Sequence, residues 1–229
     1  MYPLAEHVCL FDIDGTLLNS GGAGQWAMEQ ALEEVFGVTG PYEDIPAAGR
    51  TDRAITVDLF AHHGLDYSES NLEPFQAAYF RHLPAALAGR DGRVLPGIYD
   101  VIAALHRQEQ LELGLLTGNY RIGAELKLKH YQLHEPFTFG AFGDEHLDRD
   151  DVARLAYAEA CRTLNREVHP QQVWVIGDTP ADIRCGRAIG ARVIAVATGL
   201  YSYPQLAAAR PDHLFHDFSK SAELLTLFH

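Results

Sequence analysis

The chain has 229 residues, of which 47% are hydrophobic and 21% are charged, proportions that are ordinary for a globular protein. Its formal net charge of −13 argues against nucleic acid as a partner, because phosphates demand clustered Lys and Arg, and against anionic membrane surfaces. We therefore expect a small-molecule partner, with no nucleic acid and no membrane, and we predict a monomer or a homodimer.

The N-terminal stretch and the cysteines bear on where the protein resides. The N-terminal stretch does not resemble a signal peptide, because it carries Glu6 and has no basic run before the apolar stretch Val8–Phe11. No apolar run approaches the ~20 residues that span a bilayer. The cysteines are widely spaced and form no CxxC pair, which favours free thiols over a disulfide framework or a zinc site. We predict a cytoplasmic protein.

The first predicted strand, Val8–Phe11, ends in two aspartates one residue apart. Asp12 and Asp14 repel each other in this arrangement, so a positive group must balance them. Magnesium suits this position because it prefers oxygen ligands and leaves room for phosphate oxygens. Gly15 permits a sharp exit from the strand. An Asp-Gly turn with a purely structural role remains the alternative for this motif.

About a hundred residues separate this strand from the next, which is too many for a single crossover. Amphipathic patterns within the gap predict three helices, Gly24–Phe36, Asp52–His63 and Glu69–Ala88. Glycine-containing segments, Ser20-Gly21-Gly22 and Leu95-Pro96-Gly97, flank them. We therefore predict a helical cap over residues 18–94, hinged onto a core of residues 1–17 and 95–229.

The remainder of the chain alternates strands with helices, which predicts a parallel sheet covered on both faces. The predicted strands are Leu111–Leu116, Phe137–Phe142, Val173–Ile176 and Arg192–Ala197. The predicted helices are Tyr99–Gln108, Ile122–Tyr131, Asp151–Leu164 and Ala181–Ile189. The fold class is therefore α/β, a Rossmann-like parallel-sheet core with an inserted α-helical cap, and ligands bind such sheets at the carboxyl ends of the strands.

Two of these later strands end in further candidate site residues. Thr117-Gly118-Asn119 places a hydroxyl and backbone N–H groups where they can bind phosphate, although the same triplet is also an ordinary turn. Asp178 lies just after the end of the strand Val173–Ile176, a position that fits a metal ligand. Asp182, four residues on, fits the first turn of a helix, where an acid also serves as a cap.

Together these motifs resemble those of the haloacid dehalogenase-like superfamily of phosphohydrolases. The resemblance covers nearly the whole chain: Asp12-Ile13-Asp14-Gly15-Thr16, then Thr117, then Gly177-Asp178 with Asp182, and the inserted helical cap. Within the superfamily the chain is most similar to the phosphoglycolate phosphatase-like branch, in which an α-helical cap follows the first motif.

The resemblance implies a Mg²⁺-dependent phosphatase for a small phosphorylated metabolite, with phosphoglycolate as one candidate. Asp12 would be the nucleophile that forms an aspartyl-phosphate. Asp14 would be the general acid and base. Magnesium would be held by the Asp12 side chain, the Asp14 backbone carbonyl and the Asp178 carboxylate, with Asp182 supporting Asp178 or the waters of the metal.

The superfamily also places a cation on the phosphoryl group, usually a lysine followed by proline after the third strand. This chain departs from that pattern, because the stretch Leu147–Asp151 carries Arg149 instead. Lys127 lies about two turns into the helix that follows Thr117 and Gly118. We predict that Lys127 binds the phosphoryl group with Thr117 and Gly118. Arg149 is the alternative, and it could equally be a surface residue paired with its acidic neighbours.

The cap loop Gly49-Arg50-Thr51-Asp52 resembles the substrate-facing loop of this branch. Arg50 is a candidate partner for a substrate carboxylate, which would suit phosphoglycolate. The open alternative is a helix N-terminus capped by Thr51 or Asp52, with Arg50 in solvent.

Other members of the superfamily provide competing functions. A dehalogenase typically lacks an acid at the position of Asp14, and a phosphonatase needs a cap lysine, which residues 18–94 do not contain. A β-phosphoglucomutase-like phosphomutase shares every core motif and stays open. A non-catalytic sensor of phosphorylated ligands also stays open, although such proteins commonly lose the nucleophile or the acid.

Overall fold

The computed structural model describes residues 7–40 and 45–228, so the N-terminal stretch with Glu6 lies outside the described residues. The strands along the described chain are β1 (His7–Phe11), β2 (Leu18–Asn19), β3 (Arg93–Val94), β4 (Leu111–Leu116), β5 (Phe139–Ala141), β6 (Val173–Gly177), β7 (Arg192–Val196) and β8 (His213–Phe215). The helices are α1 (Ala23–Phe36), α2 (Asp52–His62), α3 (Glu69–Gly89), α4 (Ile98–His106), α5 (Arg121–His130), α6 (Arg149–Thr163), α7 (Pro180–Ala188), α8 (Tyr203–Ala208) and α9 (Ser221–Leu225).

Six strands form one parallel sheet in the order β5-β4-β1-β6-β7-β8. Apolar side chains on the two faces of β1 alternate between two separate hydrophobic clusters: Cys9 and Phe11 belong to one, Val8 and Leu10 to the other. Helices cover both clusters, which is why β1 is apolar at nearly every position. The predicted α/β parallel-sheet fold is confirmed.

The five predicted strands correspond to β1, β4, β5, β6 and β7, and the predicted helix bounds lie within two residues of the observed ones. The strand predicted over Phe137–Phe142 is shorter, because only Phe139–Ala141 pairs with β4. The prediction missed β8, which has three half-buried residues at the sheet edge and therefore lacks the alternation that marks a strand.

The helical segment between β1 and β4 leaves and rejoins the sheet through a short antiparallel ribbon of β2 and β3. Helices α1, α2 and α3 have a hydrophobic cluster of their own, built around Phe60, Phe75 and Tyr79. Tyr120, next to α5, also belongs to that cluster, so the helices pack on the sheet domain as well. The division into a cap of residues 18–94 and a core of 1–17 and 95–229 stays a prediction, which this packing supports.

Among the described helices, none combines the length and the apolar character that crossing a membrane requires. Cys9 and Cys185 are buried and Cys161 is half-buried, and all three are free thiols.

Candidate active site

Three neighbouring strands deliver the candidate residues to one edge of the sheet. Because β4, β1 and β6 are adjacent and parallel, Thr117, Asp12 and Asp178 follow their carboxyl ends side by side. The Asp12 backbone N–H still donates to the Ile176 carbonyl at 2.9 Å, so the sheet fixes the start of this loop. The arrangement brings together the residues that the sequence motifs single out.

A cluster of buried carboxylates lies at this edge. One oxygen from each of Asp12, Asp178 and Asp182 falls within 4.8 Å of the others, and all three residues are buried. Burial raises the pKa of Asp12 to about 6, against the opposing effect of Arg149. Burial and the neighbouring Asp182 and Asp12 raise the pKa of Asp178 well above its usual value. These carboxylates therefore call for a compensating positive charge.

The donor set fits Mg²⁺, which prefers carboxylate and carbonyl oxygens over nitrogen and sulfur ligands. Asp178 Oδ1 accepts a hydrogen bond from the Thr16 hydroxyl at 3.1 Å, which orients this carboxylate. Gly15 and Gly199 enclose the same carboxylate so closely that a β-carbon on either would overlap it. Thr16 belongs to the first sequence motif, and Gly199 has no sequence signal of its own. The Asp14 backbone carbonyl stays a predicted ligand.

Arg149 lies within the site, so the interpretation as a surface residue is wrong. Its Nη2 is 2.8 Å from Asp12 Oδ1 and 2.6 Å from Asp182 Oδ1, and only 4% of the residue is exposed. Asp148 caps the N-terminus of α6, and this places Arg149 at the first helical position, directed at the sheet edge. Burial alone would lower the pKa of Arg149, but Asp12 and Asp182 raise it well above its usual value, so it stays charged.

Lys127 also lies within the site, where it contacts Asp14. Its Nζ donates to Asp14 Oδ2 and to Asn119 Oδ1, both at 2.6 Å. Asn119 Nδ2 donates to the same Asp14 oxygen at 2.8 Å. Burial alone would lower the pKa of Lys127, but Asp14 and Asp52 raise it. Arg149 therefore contacts Asp12 and Lys127 contacts Asp14, and the role of Lys127 in binding the phosphoryl group stays a prediction.

Asn119 is a site residue that sequence reasoning did not assign. Besides Asp14 and Lys127, it contacts Thr117, whose hydroxyl oxygen accepts from Asn119 Nδ2 at 2.8 Å. The signal was present in the triplet Thr117-Gly118-Asn119, where an amide directly follows a strand-end glycine. The Thr117 residue is fully buried, and these bonds leave its hydroxyl hydrogen to donate; its role in binding phosphate stays a prediction.

Asp182 combines the two interpretations left open for it. Its Oδ2 accepts from the Thr179 backbone N–H at 2.9 Å and from the Thr179 hydroxyl at 2.7 Å, forming the capping box of α7. Its Oδ1 faces Arg149. Asp182 thus fixes the start of α7 and holds Arg149 beside Asp12.

A cavity of about 600 Å³ opens over this edge of the sheet and is closed on the other side by the helical segment. The sheet side contributes the titratable groups described above, including Asp12, Asp14, Asp178, Lys127 and Arg149. Asp52 also lines the cavity, and burial raises its pKa to about 6, against the opposing effect of Lys127. The cavity is large enough for a ligand of metabolite size.

Arg50 lines the cavity, but its guanidinium is already engaged. Nη1 lies 2.7 Å from Asp58 Oδ2 and donates to the Pro46 carbonyl, and Nη2 donates to the Ala54 carbonyl. The Thr51 hydroxyl accepts from the Ala54 N–H at 3.1 Å, so Thr51 is the helix cap. The alternative is confirmed for the cap at Thr51, whereas Arg50 is held by these contacts with 29% of its side chain exposed; its role with substrate stays a prediction.

Comparison with known proteins identifies relatives along almost the entire chain. Residues 7–190 match the family model described as haloacid dehalogenase-like hydrolase. Validoxylamine A 7'-phosphate phosphatase from Streptomyces hygroscopicus subsp. limoneus is 30% identical over 93% of this chain and 94% of its own length. Phosphoglycolate phosphatase from Nitrosospira multiformis is 24% identical over 86% of each chain.

Among solved structures, the CbbY protein of Rhodobacter sphaeroides shares the fold. A mutant of that protein in complex with xylulose-1,5-bisphosphate superposes with a TM-score of 0.74, at 22% identity over 93% of this chain and 95% of that one.

Proposed function

The chain belongs to the haloacid dehalogenase-like hydrolase family, and we propose that it is a Mg²⁺-dependent phosphatase that hydrolyses a small phosphate monoester through an aspartyl-phosphate on Asp12. The observation that carries the proposal is the position of Asp12. Asp12 lines the cavity together with the second acid, Asp14, and belongs to the carboxylate cluster with Asp178 and Asp182. Relatives named as phosphatases support the reaction class.

Mg²⁺ would be held by Asp12 and Asp178, with the Asp14 carbonyl as the third predicted ligand and Asp182 beside them. When bound, it would offset the repulsion between these carboxylates and the substrate and stabilise the negative charge that develops on the phosphoryl oxygens. The enzyme's own cations, Arg149 and Lys127, add positive charge on either side of the Asp12–Asp14 motif.

In the first step, an Asp12 carboxylate oxygen attacks phosphorus and forms a new P–O bond, while the ester P–O bond breaks. Asp14 donates its proton to the departing alcohol oxygen. Lys127 and Asn119 both hydrogen-bond to Asp14 Oδ2 and thereby fix the orientation of this carboxyl group. The products of this step are the free alcohol and the aspartyl-phosphate.

In the second step, Asp14 accepts a proton from water, and the water oxygen attacks phosphorus. The bond between phosphorus and Asp12 breaks, which releases inorganic phosphate and restores the Asp12 carboxylate. Arg149, 2.8 Å from Asp12 Oδ1, stabilises the returning negative charge.

Hydrolysis of p-nitrophenyl phosphate tests this proposal. The protein should release inorganic phosphate in the presence of Mg²⁺, lose this activity in EDTA and recover it in excess Mg²⁺. A panel of sugar phosphates, assayed for inorganic phosphate and for isomerised product, separates hydrolysis from phosphoryl transfer between two positions of a sugar. Absence of phosphate release from every ester tested at saturating Mg²⁺ would contradict the proposal, as would isomerised product without phosphate release.

A further inference from the structure

We propose that the leaving group of the substrate is a sugar- or cyclitol-sized alcohol that carries no carboxylate. The inference rests on the proposed phosphatase function and concerns the part of the cavity that the helical segment lines. The volume of the cavity, the charges that line it and the polarity of its lining each point to this class of alcohol.

The size of the cavity exceeds what a two-carbon acid fills. Its volume of about 600 Å³ falls in the middle of the ~300–1,000 Å³ range of pockets that enclose drug-sized ligands. A phosphoryl group beside Asp12 with a glycolate attached would leave most of this volume to water. A ring with several hydroxyl groups would fill a larger part of it.

Each positive charge of the cavity has an acidic partner within the protein. Among the described residues, the Lys and Arg side chains that line it are Arg50, Lys127 and Arg149. Lys127 contacts Asp14, Arg149 contacts Asp12 and Arg50 contacts Asp58. The four residues outside the described part of this segment, Pro41-Tyr42-Glu43-Asp44, include no cation. A substrate carboxylate would therefore have to compete with the protein's own acids for each of these cations, whereas a neutral alcohol would not.

Helix α1 contributes one carboxylate and one amide side chain, Glu29 and Gln25, to the lining of the cavity. Gln25 Nε2 donates to Glu29 Oε1 at 2.9 Å, and both residues line the cavity. Glu29 would repel a second substrate anion, whereas its remaining oxygen and the Gln25 carbonyl accept hydrogen bonds from hydroxyl groups.

Apolar side chains complete the cap side of the cavity. Met28, Ile55, Leu59 and Tyr79 line it, and all of them belong to or pack against the hydrophobic cluster of the helical segment. A carbohydrate or cyclitol ring offers this mixture of surfaces, since its C–H faces are apolar and its rim carries hydroxyl groups. We therefore assign ring packing to the apolar side chains and hydroxyl recognition to Gln25 and Glu29.

Substrate comparison on the wild-type protein with Mg²⁺ is the first test. Using p-nitrophenyl phosphate as the activity reference, kcat/KM is measured for phosphoglycolate, glucose 6-phosphate, fructose 6-phosphate and myo-inositol 1-phosphate. The best ring phosphate should exceed phosphoglycolate by at least ~10-fold. Equal or greater activity on phosphoglycolate overturns this inference and leaves the phosphatase proposal intact. No hydrolysis of any ester, the reference included, overturns both.

Charge reversal on α1 is the second test. Glu29→Lys should raise kcat/KM for phosphoglycolate relative to kcat/KM for the best ring phosphate by roughly tenfold, because the substitution replaces the repelling anion with a cation. Glu33→Lys is the matched control. It repeats the charge reversal one turn further along α1, at an exposed residue that does not line the cavity. An equal shift in both variants, or none in Glu29→Lys, would overturn the assignment of Glu29.

Discussion

Arg149 connects two carboxylates of the site through a single guanidinium nitrogen, at 2.8 Å from Asp12 and 2.6 Å from Asp182. All three side chains are more than nine-tenths buried, so solvent provides little screening. Removal of one partner of a buried pair leaves an uncompensated charge, which costs several kcal/mol. Arg149 therefore contributes both to folding and to the electrostatics of the proposed nucleophile.

Replacement of Arg149 by an apolar side chain of similar length separates these contributions. Arg149→Met should lower turnover by ~100-fold or more and reduce the free energy of unfolding by about 3 kcal/mol, measured by steady-state kinetics and urea denaturation. Arg154→Met, on the exposed face of the same helix, should change stability by less than about 0.5 kcal/mol. Arg149→Lys should recover part of the lost turnover because it restores the charge. Wild-type turnover in Arg149→Met would contradict the assignment.

Sequence reasoning identified Asp12, Asp14 and Asp178 because acids directly after apolar strands are conspicuous. It could not assign Arg149, since the acidic stretch around it is typical of a solvated helix N-terminus. Its burial depends on α6 beginning at the carboxyl edge of the sheet, a tertiary feature. The contact between Lys127 and Asp14 depends likewise on how α5 packs on the helical segment.

At the scale of elements, the N-terminus of α2 fastens the helical segment to the loops of the sheet. The Asp52 N–H donates to the Gly118 carbonyl at 2.7 Å, and Asp52 Oδ2 accepts from the Tyr120 N–H at 2.8 Å. The Thr51 hydroxyl caps α2 and donates to the Leu147 carbonyl at 3.3 Å. These contacts set the distance between the cap loop and the turn Thr117-Gly118-Asn119.

Thr51→Ala removes the cap and the contact to Leu147 together. We expect the free energy of unfolding to fall by about 1–2 kcal/mol, since a lost N-cap costs ~1 kcal/mol and a buried unpaired acceptor adds to it. Thr51→Ser retains the hydroxyl and should lose less than half as much in the same urea titration. Equal losses in the two variants would show that the hydroxyl contributes nothing and that the methyl group carries the effect.

Most elements were predictable because their periodicity is strong, as in α4 with Ile98, Val101, Ile102 and Leu105 all buried. The missed elements are short: β8 has three residues, and α8 has six, of which only Leu206 is buried. Such segments owe their conformation to neighbours in the fold rather than to a local pattern. No local pattern predicts the ribbon of β2 and β3 either, because its two strands are far apart in sequence.

For the whole molecule, the distribution of charge is uneven in a way that suits an anionic ligand. The net charge is −13, yet Lys127, one of few lysines, and Arg149 are both buried beside the cavity. The buried carboxylates of Asp12, Asp178 and Asp182 lie at the same edge, and the proposed Mg²⁺ would offset the repulsion among them. Metal binding and folding should therefore be linked through the protonation of these acids.

The stabilisation by Mg²⁺ should increase with pH. The pKa of Asp12 is raised to about 6 by burial, so its contribution to stability is present at low pH and is lost as pH rises through that value. Mg²⁺ would bind the ionised carboxylates, so the stabilisation that it provides should increase as pH rises through the same value. In thermal denaturation, the increase in Tm on adding Mg²⁺ should be small at about pH 5 and largest above about pH 7. Asp178→Asn should suppress the increase, and a shift independent of pH would contradict a carboxylate site.

Turnover of Asp12→Asn tests the covalent mechanism most directly. An amide cannot form the acyl-phosphate, so phosphate release from p-nitrophenyl phosphate at saturating Mg²⁺ should fall by at least ~10³-fold, in a protein whose circular dichroism matches the wild type. The substitution is nearly isosteric and removes a carboxylate whose burial disfavours its charge, so the fold should persist. Activity within about tenfold of the wild type, in a correctly folded variant, would contradict Asp12 as the nucleophile.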